Sequence, residues 1–137
     1  MAISWSDELK TEIVVIDEQH QILFETINKL DELKENKVVF WEILIELQNY
    51  VVKHFITEEG FMKAFHYPNF SYHKASHDKF VSDYKKFLER VSLVDDIMIL
   101  GSELVDFLEE WLVRHYTEED VKMASYLKSH IKKSLQD

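Results

Sequence analysis

His54 and Glu58 stand four residues apart in the run "YVVKHFITEEGFMKAF". On a helix that spacing puts an imidazole and a carboxylate on one face, one turn apart. Ile43, Leu47 and Tyr50 precede them on that face, and Phe61 and Phe65 follow. A face of this composition looks into a core. There, each polar group without a partner costs on the order of 1–3 kcal/mol. The rest of the sequence supplies partners of the same kind. His20 belongs to the stripe Ile16, His20, Leu23, Ile27, Leu30. His73 and His77 belong to Phe70, His73, His77, Phe80, Tyr84, Phe87, Val91. His115 ends the stripe Ile97, Leu100, Leu104, Phe107, Trp111, His115. A lone inward histidine is ordinarily a hydrogen-bonded core residue. Five of them with a carboxylate exceed what a dry core satisfies, and a metal satisfies them together. Imidazole and carboxylate without thiolate suit iron, zinc, copper or nickel. The set exceeds the roughly four ligands of one zinc ion, so two ions bridged by carboxylates fit better.

Asp120 is a further candidate, five residues after His115 in "HYTEED". Five steps of an α-helix turn through about 500°, which points the two side chains apart. They converge only if the helix ends or bends after His115, and Thr117 is placed to cap a new helix there. Glu118 and Glu119 then read as solvated charges in a first helical turn.

The elements that position these residues follow from the same stripes. "KENK", "HYPN" and "SLVDD" are short breaks between long helical patterns, and Asp95 or Asp96 can cap the fourth helix. Short connections make consecutive helices antiparallel, which predicts an all-α, up-down-up-down four-helix bundle. An N-terminal arm, residues 1–15, offers Trp5, Ile13 and Val14 for packing, and a short helix over about 118–133 ends the chain. The expected organisation is one domain over 1–137. In this topology the starts of helices one and three meet the ends of two and four. His20, His54, Glu58, His73, His77 and His115 therefore fall at one end of the core.

Composition excludes several alternatives. Two glycines and one proline in 137 residues leave too few turn residues for a hairpin-rich fold. The absence of cysteine removes disulfides, thiolate metal sites and thiol chemistry. A formal net charge of −10 repels a phosphate backbone, so nucleic acid is not an expected partner. No signal peptide and no bilayer-spanning run is read, so the expectation is a cytoplasmic protein without a membrane partner. A monomer is expected.

The chain resembles hemerythrins, most closely the single-domain bacterial type, over nearly its whole length. "IDEQH" matches the first histidine motif of that family and gives His20. "HFITEEGFM" matches the second and gives His54 and Glu58, with Glu59 and Met62 as accompanying positions. "YPNFSYHKASHDKF" gives His73 and His77, and "WLVRHYTEED" gives His115 and Asp120. Each motif is weak alone; four in order at helical spacing are specific. The resemblance implies a non-haem, oxo- or hydroxo-bridged di-iron centre. One iron would be held by His73, His77 and His115 and the other by His20 and His54, with Glu58 and Asp120 bridging. In two octahedral irons, five histidines, two bridging carboxylates and a bridging solvent leave one position open. The family places that position on the iron with His20 and His54, and dioxygen there. It also places Leu112 beside the oxygen pocket, for which Trp111, Phe55 and Leu23 are further candidate walls. The chain departs from the family pattern at His66, at Tyr116 and in the acidic link before Asp120, where Glu118 or Glu119 could compete as the second bridge. His66 and His130 lie outside the register and read as surface residues.

Reversible dioxygen binding is the expected function, in carriage, storage or delivery, with any oxygen-consuming enzyme partner unspecified. The rivals are a di-iron enzyme acting on oxygen, peroxide or nitric oxide, and a sensing or iron-storage module. Oxidase-type bundles use paired Glu-x-x-His motifs, and no Glu stands three residues before any His here. Imidazole-rich ligation favours binding over enzymatic turnover. Sensor versions carry a fused signalling domain, for which these residues leave no room.

Overall fold

The computed structural model describes residues 10–136, with side chains through residue 131. Four long helices run α1 (Val14–Glu32), α2 (Lys37–Ala64), α3 (Phe70–Leu93) and α4 (Met98–His115). A π-helical turn over Tyr116–Asp120 leads without a break into α5 (Val121–Gln136). α1 packs on α2 and α4, and α3 packs on the same two, which closes the four-helix bundle. The predicted breaks hold to within a residue or two. Asn36 caps α2, its side chain accepting from the Val39 N–H at 3.2 Å. Asp96 accepts from the Met98 N–H at 3.0 Å and so caps the start of α4.

The break after α2 is built without glycine. His66 takes a left-handed conformation, φ 54°. The Tyr67 N–H donates to the Met62 carbonyl at 2.9 Å and the His66 N–H to the Lys63 carbonyl at 3.3 Å. This is a Schellman motif, and Tyr67 and Met62 supply its apolar contact. Pro68 follows, where the helix cannot continue.

Three sequence expectations are corrected. Helix α1 begins at Val14, inside the expected arm, and Val14 is exposed rather than packed; Ile13 is buried. Trp5 lies outside the described residues. On α4 the buried stripe is rotated from the expected one. Leu104, Val105, Leu108 and Leu112 are buried, whereas Phe107 and Trp111 are half-buried.

Two apolar clusters flank the polar residues. The main one fills the bundle, with Tyr84 of α3 donating its hydroxyl to the Leu44 carbonyl of α2 at 2.7 Å. The second joins Ile13, Ile16, Met62 and Tyr67 to Met123, Ala124 and Leu127 of α5. Along α1 the order is Ile16 of the second cluster, His20, then Leu23 of the main cluster. Along α2 it is Phe55 of the main cluster, Glu58, then Met62 of the second. From α4 to α5 it is Leu112, the pair His115 and Asp120, then Met123. The polar side chains therefore form one layer between two dry ones.

Candidate metal centre

All seven candidate ligands lie in that layer, each no more than 3% exposed. They form two sets that share two carboxylates: Glu58 and Asp120 with His73, His77 and His115, and the same pair with His20 and His54. Within each set the ligand atoms all lie within 4.8 Å of one another. Asp120 Oδ2 is 3.1 Å from His20 Nε2, and its Oδ1 is 3.1 Å from His73 Nε2 and 3.0 Å from His115 Nε2. Glu58 Oε1 is 3.3 Å from His54 Nε2, 3.2 Å from His77 Nε2 and 3.9 Å from His73 Nε2.

Asp120 arrives there because the helix does not stop after His115 but widens into the π turn. The Val121 N–H donates to the Tyr116 carbonyl, a bond spanning five residues. That wider turn absorbs one extra residue and brings the fifth position back onto the face of the first. Thr117 does not cap a new helix; its hydroxyl donates to the Val113 carbonyl at 2.8 Å. Glu118 is exposed, as expected for a solvated charge. Glu119 is not: it accepts from the outer nitrogen of His115, Nδ1, at 2.7 Å.

Ligands about 2.1 Å from an ion stand about 3.0 Å apart when adjacent and about 4.2 Å apart when opposite. The separations seen here fall in that range. The buried oxygens of Glu58 and Asp120 and both ring nitrogens of His73 have no hydrogen-bond partner. These atoms converge on one another without a hydrogen bond of good geometry, so the donor set fits a metal better than it satisfies itself.

Electrostatics agree. Burial, with Asp120 close by, pushes the Glu58 carboxyl well above its ordinary range. Burial acts on Asp120 in the same direction, but His115, His20 and His73 outweigh it and hold that carboxyl well below its ordinary range. Burial and neighbouring imidazoles push His54 and His77 down, which keeps them neutral with a lone pair free to ligate. Burial also opposes the charged form of His115, but Asp120 and Glu119 pull it up to about 9.

Residues outside the ligand set hold the rings from behind. His54 Nδ1 lies 2.7 Å from Gln19 Oε1, and His77 Nδ1 lies 3.0 Å from Glu59 Oε2. Phe55 stacks on His77 with centroids 3.8 Å apart, and Trp111 stacks on His115 at 4.3 Å. Sequence reasoning gave no role to Gln19 or Ser76, named Glu59 only as an accompanying motif position, and offered Glu119 as a competing bridge, whereas Glu119 sits behind His115 and in neither ligand set. The available signal was position: Gln19 precedes a ligand, Glu59 follows one, and Glu119 lies four residues after His115. His66 is exposed, as expected. His130 is half-buried, its Nδ1 donating to the Tyr126 carbonyl at 2.8 Å, and it stays out of the layer. Below the layer is an apolar cavity of about 20 Å³ whose walls include Leu23, Phe55, Leu108, Trp111 and Leu112. The four expected wall residues are all among them.

A family model described as the hemerythrin HHE cation binding domain matches residues 11–127. The chain belongs to the hemerythrin family. It is 30% identical to a bacteriohemerythrin of Stenotrophomonas maltophilia (strain R551-3) over 93% of this chain and 82% of that one. It is 32% identical to a bacteriohemerythrin of Clostridium acetobutylicum over 85% and 94%. A wild-type hemerythrin crystal structure superposes with a TM-score of 0.81 at 28% identity, covering 93% of this chain and 98% of that one. The hemerythrin bundle thus places its His, Glu and Asp cluster where it could hold metal. Among the described residues no helix is long and apolar enough to cross a membrane.

Proposed function

We propose that this hemerythrin binds dioxygen reversibly at a di-iron centre held by His20, His54, Glu58, His73, His77, His115 and Asp120. The observation that carries the reading is the pair of buried ligand sets sharing Glu58 and Asp120, with an apolar cavity whose walls include Leu23, Phe55 and Leu112, each within one helical turn of a ligand in the sequence. Two ferrous ions, once bound there, would supply the electrons for reversible dioxygen binding. The chain's own residues do the rest. Glu58 and Asp120 span the two positions and neutralise charge. The imidazoles come from all four long helices, His20 from α1, His54 from α2, His73 and His77 from α3 and His115 from α4, so the spacing is set by helix packing rather than by a loop. Apart from the Trp111 indole N–H, the side chains lining the cavity carry no proton donor, which disfavours water and slows proton delivery to whatever binds there. That favours binding and release over turnover.

Apoprotein loaded anaerobically with ferrous iron is expected to hold two irons per chain by elemental analysis. It should gain a visible absorption band under oxygen and lose it under argon over repeated cycles. A single iron per chain, or irreversible oxidation in the first cycle, would overturn the reading.

A further inference from the structure

The outward partners of the inward-facing imidazoles differ between the two sides of the layer. On the side of His73, His77 and His115, two partners are carboxylates: Glu59 Oε2 at 3.0 Å from His77 Nδ1, and Glu119 Oε2 at 2.7 Å from His115 Nδ1. On the other side, the partner behind His54 is a neutral amide, Gln19 Oε1 at 2.7 Å from Nδ1. Each of Glu119 and Gln19 is itself held. Ser76 donates its hydroxyl to Glu119 Oε2 at 2.8 Å, and Gln19 donates through Nε2 to Thr57 Oγ1 at 3.2 Å. All three partners therefore fix ring orientation, but only two bring negative charge.

We propose that Glu59 and Glu119 set the order in which the two metal positions fill, making the three-histidine position the tighter and first-filled one, and that the chain passes through a stable one-metal state. This rests on the two-ion reading above. An imidazole whose outer N–H faces a carboxylate is a stronger donor than one facing an amide, and carboxylate charge behind the ring adds attraction for a dication. Only 17% of the Glu59 side chain and 16% of the Glu119 side chain is exposed, so water screens them weakly. Two cations oppose Glu59: Lys63, and more strongly Lys74, 4.0 Å from Glu59 Oε1. Asp78 holds that ammonium at 3.0 Å, so it offsets Glu59 only in part.

The three-histidine side also has one more imidazole, so order alone does not separate the causes; charge-only variants do. Glu59→Gln and Glu119→Gln keep an oxygen to accept from Nδ1 and remove the charge. The probe is Co(II) added to apoprotein, with stepwise affinities from chelator competition and the occupied position from paramagnetic proton NMR. In the parent protein the first equivalent should bind more tightly than the second. It should show three hyperfine-shifted exchangeable imidazole N–H signals, where the other position would show two. Each Glu→Gln change should weaken the first step roughly ten- to hundredfold and leave the second little changed. Gln19→Glu, which adds charge on the other side, should tighten the second step. Helical circular dichroism of each apoprotein checks that the fold is intact. Two equal steps, two N–H signals at the first equivalent, or a first step indifferent to both Glu→Gln changes would overturn the proposal while leaving the two-ion reading in place. Saturation at a single Co(II) would defeat the two-ion reading and the order with it.

Discussion

Each ligand histidine meets the layer through Nε2, because its Cα sits on a helix wall and Nε2 is the ring nitrogen that reaches furthest inward. The nitrogen nearer the backbone, Nδ1, is left for a partner on the helix surface, and Gln19, Glu59 and Glu119 take that place for three of the rings. The ligands were legible in the sequence because an inward imidazole violates the apolar pattern. Their outer partners were not, because a Glu or Gln on a polar helix face violates nothing. His66 was opaque for a related reason. A left-handed residue closing a helix is usually recognised as glycine, and here it is histidine at φ 54°. A side chain in that region costs about 1–2 kcal/mol, and part of that cost returns through the unfolded-state entropy of glycine. His66→Gly is therefore expected to stabilise the protein by about 0.5–1 kcal/mol in denaturant titration, with metal content unchanged. Destabilisation, or loss of metal, would show that the His66 side chain has a role beyond closing α2.

At the scale of the element, the four long helices were readable because every one carries its apolar stripe at three- and four-residue steps. The join between α4 and α5 was not, since a spacing of five between two ligands looked like a break, and the expected cap at Thr117 followed from that. The π turn answers the geometry differently. It keeps the backbone hydrogen-bonded through Tyr116–Asp120 and accommodates one residue more than an α turn would. This makes length changes asymmetric. Deleting exposed Glu118 leaves Asp120 four positions from His115, about 40° off its direction on a normal α-helix. α5 then keeps its packing on α2, and the shortened protein should still take up metal. Inserting one alanine after Glu118 gives six positions; a single π turn absorbs one of them, and the other five leave Asp120 about 140° off. The inserted variant should lose metal at one or both positions by elemental analysis. Equal retention by both variants would mean that Asp120 does not depend on the turn.

At the scale of the whole molecule, the ligand layer separates the main core from the one built on α5, so metal and fold are coupled through every helix that crosses it. With free metal a thousandfold above its dissociation constant, loading adds about 4 kcal/mol, or roughly 10–20 °C in Tm for a chain of this size. The pH dependence of chelator-stripped protein follows from the same layer. His115 sits at about 9 in the folded chain, against about 6.5 unfolded. Its stabilising contribution is complete below about 6.5 and is lost as pH rises through about 9. Glu58, pushed up by burial and Asp120, acts in the same sense: the unfolded chain releases that proton near its ordinary value of about 4.5 and the folded chain only higher. His54 and His77, pushed down mainly by burial, act oppositely. Below about 6.5 the unfolded chain takes up protons that the folded chain refuses, so stability falls with acid. Between about 4.5 and 6.5 those two histidines, both carried far down, outweigh Glu58 and the smaller upward shifts of Glu59 and Glu109, and above about 6.5 only the losses remain. Stripped protein should therefore have its highest Tm near pH 6.5 and a lower one at both pH 5 and pH 9. Loaded protein should show no fall from pH 6.5 to 9, since the metal stands where the His115 proton did. Scanning calorimetry at the three pH values, with and without chelator, checks both arms. A stripped protein that gains stability from pH 6.5 to 9 would show that His115 is not drawn up by Asp120 and Glu119.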